Sequence, residues 1–215
     1  MVLWGKTLFA LITSMAQSLL LVLVIVPAAV SATNAAGQTF LESNKLKAGV
    51  VTLSSGLQYK VLESGSGREH PLSSTTCSCH YEGRTAQEFS KSPPGRTFDS
   101  SFARGEPTSF APNQVIAGWT EAMQLMVAGD KWELYLPSEL AYGESGAGDD
   151  IGPGDTLIFT LQLISLSGPG RAITVEEAAA RDSHATGRGG MGGRGAGKRR
   201  GKTAKDVEKS DHELR

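Results

Sequence analysis

The residues of this 215-residue chain that could do chemistry are Phe98-Asp99-Ser100-Ser101, Arg104, Gln114-Val115-Ile116-Ala117-Gly118-Trp119, Leu140-Ala141-Tyr142-Gly143 and Phe159. They are mostly aromatic and aliphatic, with one carboxylate among them. Taken singly, Phe98, Phe110, Trp119 and Phe159 would be core residues in any small domain. Asp99 would be a turn carboxylate, since aspartate favours turns. A pocket that is an unfilled extension of the core satisfies both readings.

Other motifs fall away on inspection. Gly143-Glu144-Ser145-Gly146-Ala147 approaches the G-x-S-x-G elbow of serine hydrolases but lacks the last glycine, and no motif places a histidine to serve it. His70, His80, His184 and His212 have no metal-ligand spacing and are expected at the surface, so no metal and no cofactor is expected. Cys77 and Cys79 stand two apart on a strand, so both point to one face. Two cysteines exclude a disulfide framework. The flanking alternation puts them with Tyr81 on the core side, as small buried thiols instead of a metal pair or a local bridge.

The elements that must position these side chains follow from periodicity. Leu57, Tyr59 and Val61 alternate with polar residues, and Gly65-Ser66-Gly67 ends the run. Further strands are expected at Thr76 to Tyr81, Lys131 to Leu136 and Thr156 to Leu166. Val115, Ile116, Trp119, Ala122, Met123 and Met126 recur at helical spacing. One short amphipathic helix against an antiparallel sheet is an α+β domain.

From about Gly56 to Leu166 these ordered segments closely resemble the FKBP-type peptidyl-prolyl cis/trans isomerases. The resemblance implies a twisted antiparallel sheet wrapped around one helix, with an apolar pocket for a proline ring. It makes Trp119 the pocket floor and Tyr81, Phe98, Phe110, Val115, Ile116, Ile151 and Phe159 its walls. The Ile116 N–H and the Tyr142 hydroxyl would hydrogen-bond substrate carbonyls, and Asp99, paired with Arg104 near Tyr81, would shape the rim. The implied partners are proline-containing polypeptides and a tacrolimus-like macrolide. Thr108, Gln114, Ala147 and Asp150 depart from the family pattern, which bears on ligand fit more than on catalysis. The segment Arg84 to Arg96 is longer than the family's usual connection.

The outer segments carry other signals. Lys6, an apolar run densest from Leu19 to Val26, and Val30-Ser31-Ala32 have the layout of a secretory signal peptide over 1–32, with a retained membrane anchor as the alternative. Residues 33–55 form a linker, with a short helix from Thr39 to Lys47 that Thr39 and Glu42 could cap. Phe40-Leu41-Glu42-Ser43-Asn44 resembles the end of the dimerising helix in the family's macrophage infectivity potentiator branch. It is too short to dimerise that way, so a monomer is expected. The catalytic domain is placed at 56–166 and a glycine-rich basic tail at 167–215, where Thr174 and Glu177 could cap a short helix. From Gly187 onward too few apolar residues remain to offset ordering entropy.

The net charge of −1 conceals a basic run from Arg188 to Lys202 with no acid between Asp182 and Asp206. Such a run can neutralise phosphates of nucleic acid or lipid; in a secreted chain a solvated linker is the simpler reading. Asp211-His212-Glu213-Leu214-Arg215 transposes the first two residues of the His-Asp-Glu-Leu retention signal and adds an arginine. The expectation is an isomerase of the secretory pathway, in the ER lumen, secreted or in an organelle beyond. Two alternatives stay open: a non-catalytic module that grips proline segments, and an interaction protein working through its basic tail.

Overall fold

The computed structural model describes residues 32–186. Residues 1–31 of the expected leader, the basic run and the C-terminal pentapeptide lie outside the described residues. The elements are α1 (Ala35–Asn44), β1 (Val50–Thr52), β2 (Gln58–Glu63), β3 (Glu69–Pro71), β4 (Thr76–Thr85), α2 (Ala86–Phe89), β5 (Asp99–Ser100), α3 (Ser101–Arg104), β6 (Thr108–Phe110), α4 (Ala117–Met123), β7 (Lys131–Leu136), β8 (Leu157–Ser167), β9 (Gly170–Ala172) and α5 (Val175–Thr186). The main sheet runs β1-β2-β7-β8-β4-β5, with β6 also on β4, and β3 pairs with β9 in a separate ribbon. Every pairing is antiparallel.

Alternation along β7 assigns the two faces of the sheet. Trp132, Leu134 and Leu136 are buried with Leu157, Phe159, Leu161 and Leu163 of β8, and against them lie Trp119, Ala122, Met123 and Met126. Tyr135 points the other way and packs with Ala86 and Ile158 in a second cluster. This is the expected α+β architecture, with α4 packed on the face of the sheet that carries Trp132, Leu134 and Leu136. That helix is shorter than its apolar spacing suggests, because Val115 and Ile116 are extended residues ahead of it. Gly118 lets it approach β7: a Cβ there would lie 2.5 Å from a Leu136 methyl.

The strand expected at 76 to 81 continues to Thr85, because β8 supplies partners along its whole length, from Thr76↔Ser167 to Thr85↔Leu157. Cys77 and Cys79 are both buried and unbridged, with the Cys77 Sγ donating to the Thr75 carbonyl at 3.3 Å. Burial pushes the Cys77 thiol up to about 11 and the Cys79 thiol further in the same direction.

Three further placements differ from the sequence reading. The first helix begins at Ala35, not Thr39: Asn34 is the N-cap, its side chain accepting from Gly37 N at 2.8 Å. Thr39 sits mid-helix and donates back to the Ala35 carbonyl. His70 is 4% exposed, not a surface residue, with Nδ1 3.0 Å from the Met126 carbonyl oxygen. His80 is half-buried, stacked on Phe102 at 4.7 Å. The side chain of His184 and all of His212 lie outside the description.

The chain also stays with the domain on both sides of 56–166. Phe40 of α1 meets Phe89 and Tyr135 at ring separations of 6.1 Å each, and Asn44 Nδ2 donates to the buried Gln58 at 3.0 Å. Phe89 of α2 belongs to the Arg84 to Arg96 segment, so part of that segment covers the outer face of the sheet together with α1. Downstream, β9 pairs with β3 from Glu69↔Ala172 to Pro71↔Gly170. The Thr174 and Glu177 capping box forms as the spacing predicts, and Arg181 of α5 donates to the fully buried Asp130 at 2.5 Å.

Candidate functional site

Four aromatic rings form the base of a cavity of about 470 Å³ at the edge of the core. Trp119, 4% exposed on α4, meets Phe159 of β8 edge-on at 5.0 Å and Tyr81 of β4 edge-on at 5.2 Å, with Phe110 tilted against it at 5.4 Å. Phe98 stands edge-on to Phe159 at 5.6 Å. The packing needs a glycine on β4, since a Cβ on Gly83 would lie 2.5 Å from the Phe98 ring and 2.6 Å from Phe159. Asp99, Gln114, Val115, Ile116, Tyr142 and Ile151 complete the lining.

Two hydrogen-bond donors border this apolar space. Ile116 is the N-cap of α4, extended at φ −60° and ψ 152°, so its N–H has no intrahelical acceptor. It makes no hydrogen bond to another described residue. Tyr142 is 40% exposed, and its hydroxyl has no protein partner among the described residues. The Trp119 Nε1 is buried in the floor, also without a partner among the described residues.

The polar rim is a three-residue network. The Tyr81 hydroxyl donates to Asp99 Oδ2 at 2.6 Å, and Arg104 donates to the other Asp99 oxygen and to the Tyr81 hydroxyl at 3.0 Å. The guanidinium also lies 5.5 Å from the Tyr81 ring centroid. Burial opposes ionisation of Asp99, but the hydrogen bonds from Tyr81 and Arg104 outweigh it and hold its carboxyl below the usual range. Tyr81 moves upward, through burial first and then through its bond to Asp99. The network thus fixes an ionised carboxylate beside the pocket and turns the Tyr81 ring toward the floor.

All the residues expected at the site from sequence line this cavity except Arg104, which reaches it through Asp99 and Tyr81. Gln114 lines it as well, and its side-chain oxygen accepts from Ala111 N at 2.8 Å, closing the turn before α4. The outer rim holds an ion pair that periodicity does not signal: Asp150 meets Arg96 of the long 84 to 96 segment. Thr108 Oγ1 is 3.5 Å from Arg104.

This arrangement can hold a small apolar ring over an indole and offer two donors to flanking carbonyls, with the Asp99 carboxylate, held by Tyr81 and Arg104, as the acidic group in the lining. Residues 67–164 match the family model for FKBP-type peptidyl-prolyl cis-trans isomerase, and 26–61 match the domain amino-terminal to it. A macrophage infectivity potentiator of Trypanosoma cruzi is 43% identical over 141 residues, covering 66% of this chain and 68% of that protein. The chain belongs to the FKBP-type peptidyl-prolyl cis-trans isomerases.

Among other relatives, the outer membrane protein MIP of Legionella longbeachae is 46% identical over 132 residues, 61% of this chain and 53% of that protein. The chain thus spans about half the length of that relative. The crystal structure of FkpA from Escherichia coli superposes with a TM-score of 0.55 at 39% identity, over 61% of this chain and 57% of that one. A peptidyl-prolyl cis-trans isomerase from Pseudomonas syringae pv. tomato superposes with a TM-score of 0.55 at 38% identity, over 62% of this chain and 92% of that one. The sheet and α4 are therefore the FKBP fold. No helix among the described residues is long and apolar enough to cross a membrane.

Proposed function

We propose that the protein accelerates cis/trans rotation of X-Pro bonds in polypeptides passing through the secretory pathway, and so assists their folding. The observation that carries this reading is the Trp119-floored cavity with the unpaired Ile116 N–H and Tyr142 hydroxyl at its border. The uncatalysed rotation is slow because amide resonance sets a barrier of about 18–20 kcal/mol. At the top of that barrier the C–N bond is twisted, resonance is lost and much of the charge separation is gone. A water-poor aromatic pocket solvates that less polar state better than the planar amide, which lowers the barrier without any covalent step.

Each group has one task in this scheme. The proline ring stacks on Trp119 between Tyr81, Phe98, Phe110 and Phe159. Ile116 N–H donates to a carbonyl of the substrate, and the Tyr142 hydroxyl donates to a second, so the peptide on one side of the bond is held while the other turns. Asp99 and Arg104 keep Tyr81 oriented. The secretory setting is supported by the leader-like N-terminal sequence and by relatives that include an outer membrane protein.

The test is a coupled isomerisation assay on residues 32–186 with an X-Pro tetrapeptide. A rate above the spontaneous one, abolished by Trp119→Ala in a variant shown to be folded, is expected. A folded wild-type domain with no acceleration would reduce the site to a proline-binding module.

A further inference from the structure

The residue that follows the expected leader is tightly seated. Thr33 is 3% exposed. Its backbone nitrogen donates to Glu139 Oε1 at 3.1 Å and its hydroxyl donates to Glu139 Oε2 at 2.6 Å. The same hydroxyl oxygen accepts from Ser138 N at 2.8 Å, and the Thr33 carbonyl accepts from Gln38 Nε2 at 2.8 Å. Next to it, Asn34 N donates to the Gly154 carbonyl at 2.8 Å. Gly154 has a φ of +72°, and a Cβ there would lie 2.5 Å from the Ala32 carbonyl oxygen. The chain on both sides of the Ala32–Thr33 bond is therefore fitted into a slot between the turn at Ser138–Leu140 and the turn at Gly154.

We propose that leader cleavage after Ala32 makes Thr33 the first residue of the mature protein, and that its new α-ammonium docks as an ion pair on Glu139. The inference rests on the leader reading of residues 1–32. Val30 and Ala32 supply the small residues that a signal peptidase cut requires three positions and one position ahead of the bond. Hydrolysis adds water across that amide: the oxygen goes to the Ala32 carbonyl carbon, which leaves as a carboxylate, and the Thr33 nitrogen gains the protons and becomes an ammonium. The nitrogen so released is the one on which the Glu139 carboxylate already sits. A cut one residue earlier or later would displace the charge by about 3.8 Å, one Cα spacing, out of hydrogen-bond reach.

The slot lies behind the pocket loop. The turn holding Glu139 runs directly into Tyr142, and Gly154 N donates to the Gly143 carbonyl at 2.9 Å, three residues after the pocket residue Ile151. A docked terminus thus braces both ends of the segment that presents Tyr142 and Ile151.

The mature protein secreted from cells expressing the full chain is first sequenced from its N-terminus. The pKa of its α-amine is then measured by NMR after isotopic dimethylation. A start at Thr33 is expected, with an α-amine raised by about one unit above the ordinary range of about 7.7–8.0. That shift should be lost in Glu139→Gln and in wild type unfolded by denaturant, which supplies the reference if the variant does not fold. A chain cleaved in vitro to begin at Thr33 gives the same titration independently of where the cell cuts. A different mature start, or an unshifted amine in the folded wild type, overturns the proposal. Neither readout depends on turnover, so failure of the isomerase reading would be seen separately.

Discussion

Replacing Tyr142 by phenylalanine isolates one donor of the proposed mechanism. Tyr142 is 40% exposed and its hydroxyl bonds to no other described residue, so its removal leaves no buried group unsatisfied. The fold should not register the change, and the thermal midpoint of Tyr142→Phe should match wild type. If the hydroxyl holds a substrate carbonyl in the transition state, the loss is that of one hydrogen bond, about 0.5–1.5 kcal/mol. At about 1.4 kcal/mol per tenfold this is roughly a two- to thirteenfold fall in kcat/KM. The assay is isomerisation of an X-Pro tetrapeptide at substrate concentrations below KM, with both proteins at equal folded concentration. An unchanged kcat/KM would refute the role assigned to this hydroxyl. A larger fall with a lowered midpoint would show that Tyr142 supports the loop instead.

Three further outcomes follow from other parts of the molecule. Asp99 has a folded pKa below its unfolded value, so its network contributes stability that is present above about pH 4 and lost as pH falls through the lower folded value. The stability gap between wild type and Asp99→Asn in thermal scans should therefore close toward pH 2, and a gap constant from pH 6 to 2 would contradict the assignment. Phe40→Ala should cost about 1–3 kcal/mol in urea unfolding, less than a fully buried phenylalanine because Phe40 is only half-buried, while leaving kcat/KM unchanged; an equal loss of activity would mean that α1 and the pocket are coupled. Tacrolimus-like macrolides should bind more weakly than to members with an aromatic wall at Thr108. Calorimetry should show Thr108→Phe tightening by about tenfold or more, the value of roughly 1.5–3 kcal/mol of ring burial, and low-nanomolar binding by wild type, or no tightening, would refute this.

Much of this site could be read from the sequence because strand alternation and helical spacing are local. Trp132, Leu134 and Leu136 announce the buried face of β7, and Trp119, Ala122 and Met123 the face of α4 that meets it. The positions matching a known family then place Tyr81, Asp99 and Tyr142 around one cavity although they are far apart in the chain. Contacts of the second cluster escape this kind of reading. Phe40, Phe89 and Tyr135 come from three elements, and no periodicity within any one of them indicates that the outer face of the sheet will be covered. The start of α1 escapes local reading for a related reason: Thr39 and Glu42 make a plausible local cap, but Asn34 wins because Gly154 and Glu139, more than a hundred residues away, hold the backbone at Asn34 and Thr33.

The burial of His70 has a similar origin. Its acceptor is the Met126 carbonyl, and β9 pairs alongside it through Arg171, so its surroundings are assembled from parts on both sides of the sheet sequence. A polar residue on a three-residue strand carries no sequence mark that separates a solvent-facing position from one roofed by a later segment. The same physics explains why composition alone marks a boundary at 167. Ser167-Gly168-Pro169-Gly170 has the composition of a linker, yet Gly168 at φ +121° turns the chain back. That reversal lets Gly170–Ala172 pair with Glu69–Pro71 and lets Arg181 reach the buried Asp130. Asp130 also accepts from Gly65 and Val127 N–H groups, so the carboxylate ties the β2–β3 connection, the end of the α4 segment and α5 to one point. Residues that read as flanks of the expected catalytic domain thus close its edges, with β9 and α5 on the C-terminal side and Thr33 and Asn34, which hold the turns at Ser138–Leu140 and Gly154, on the N-terminal side.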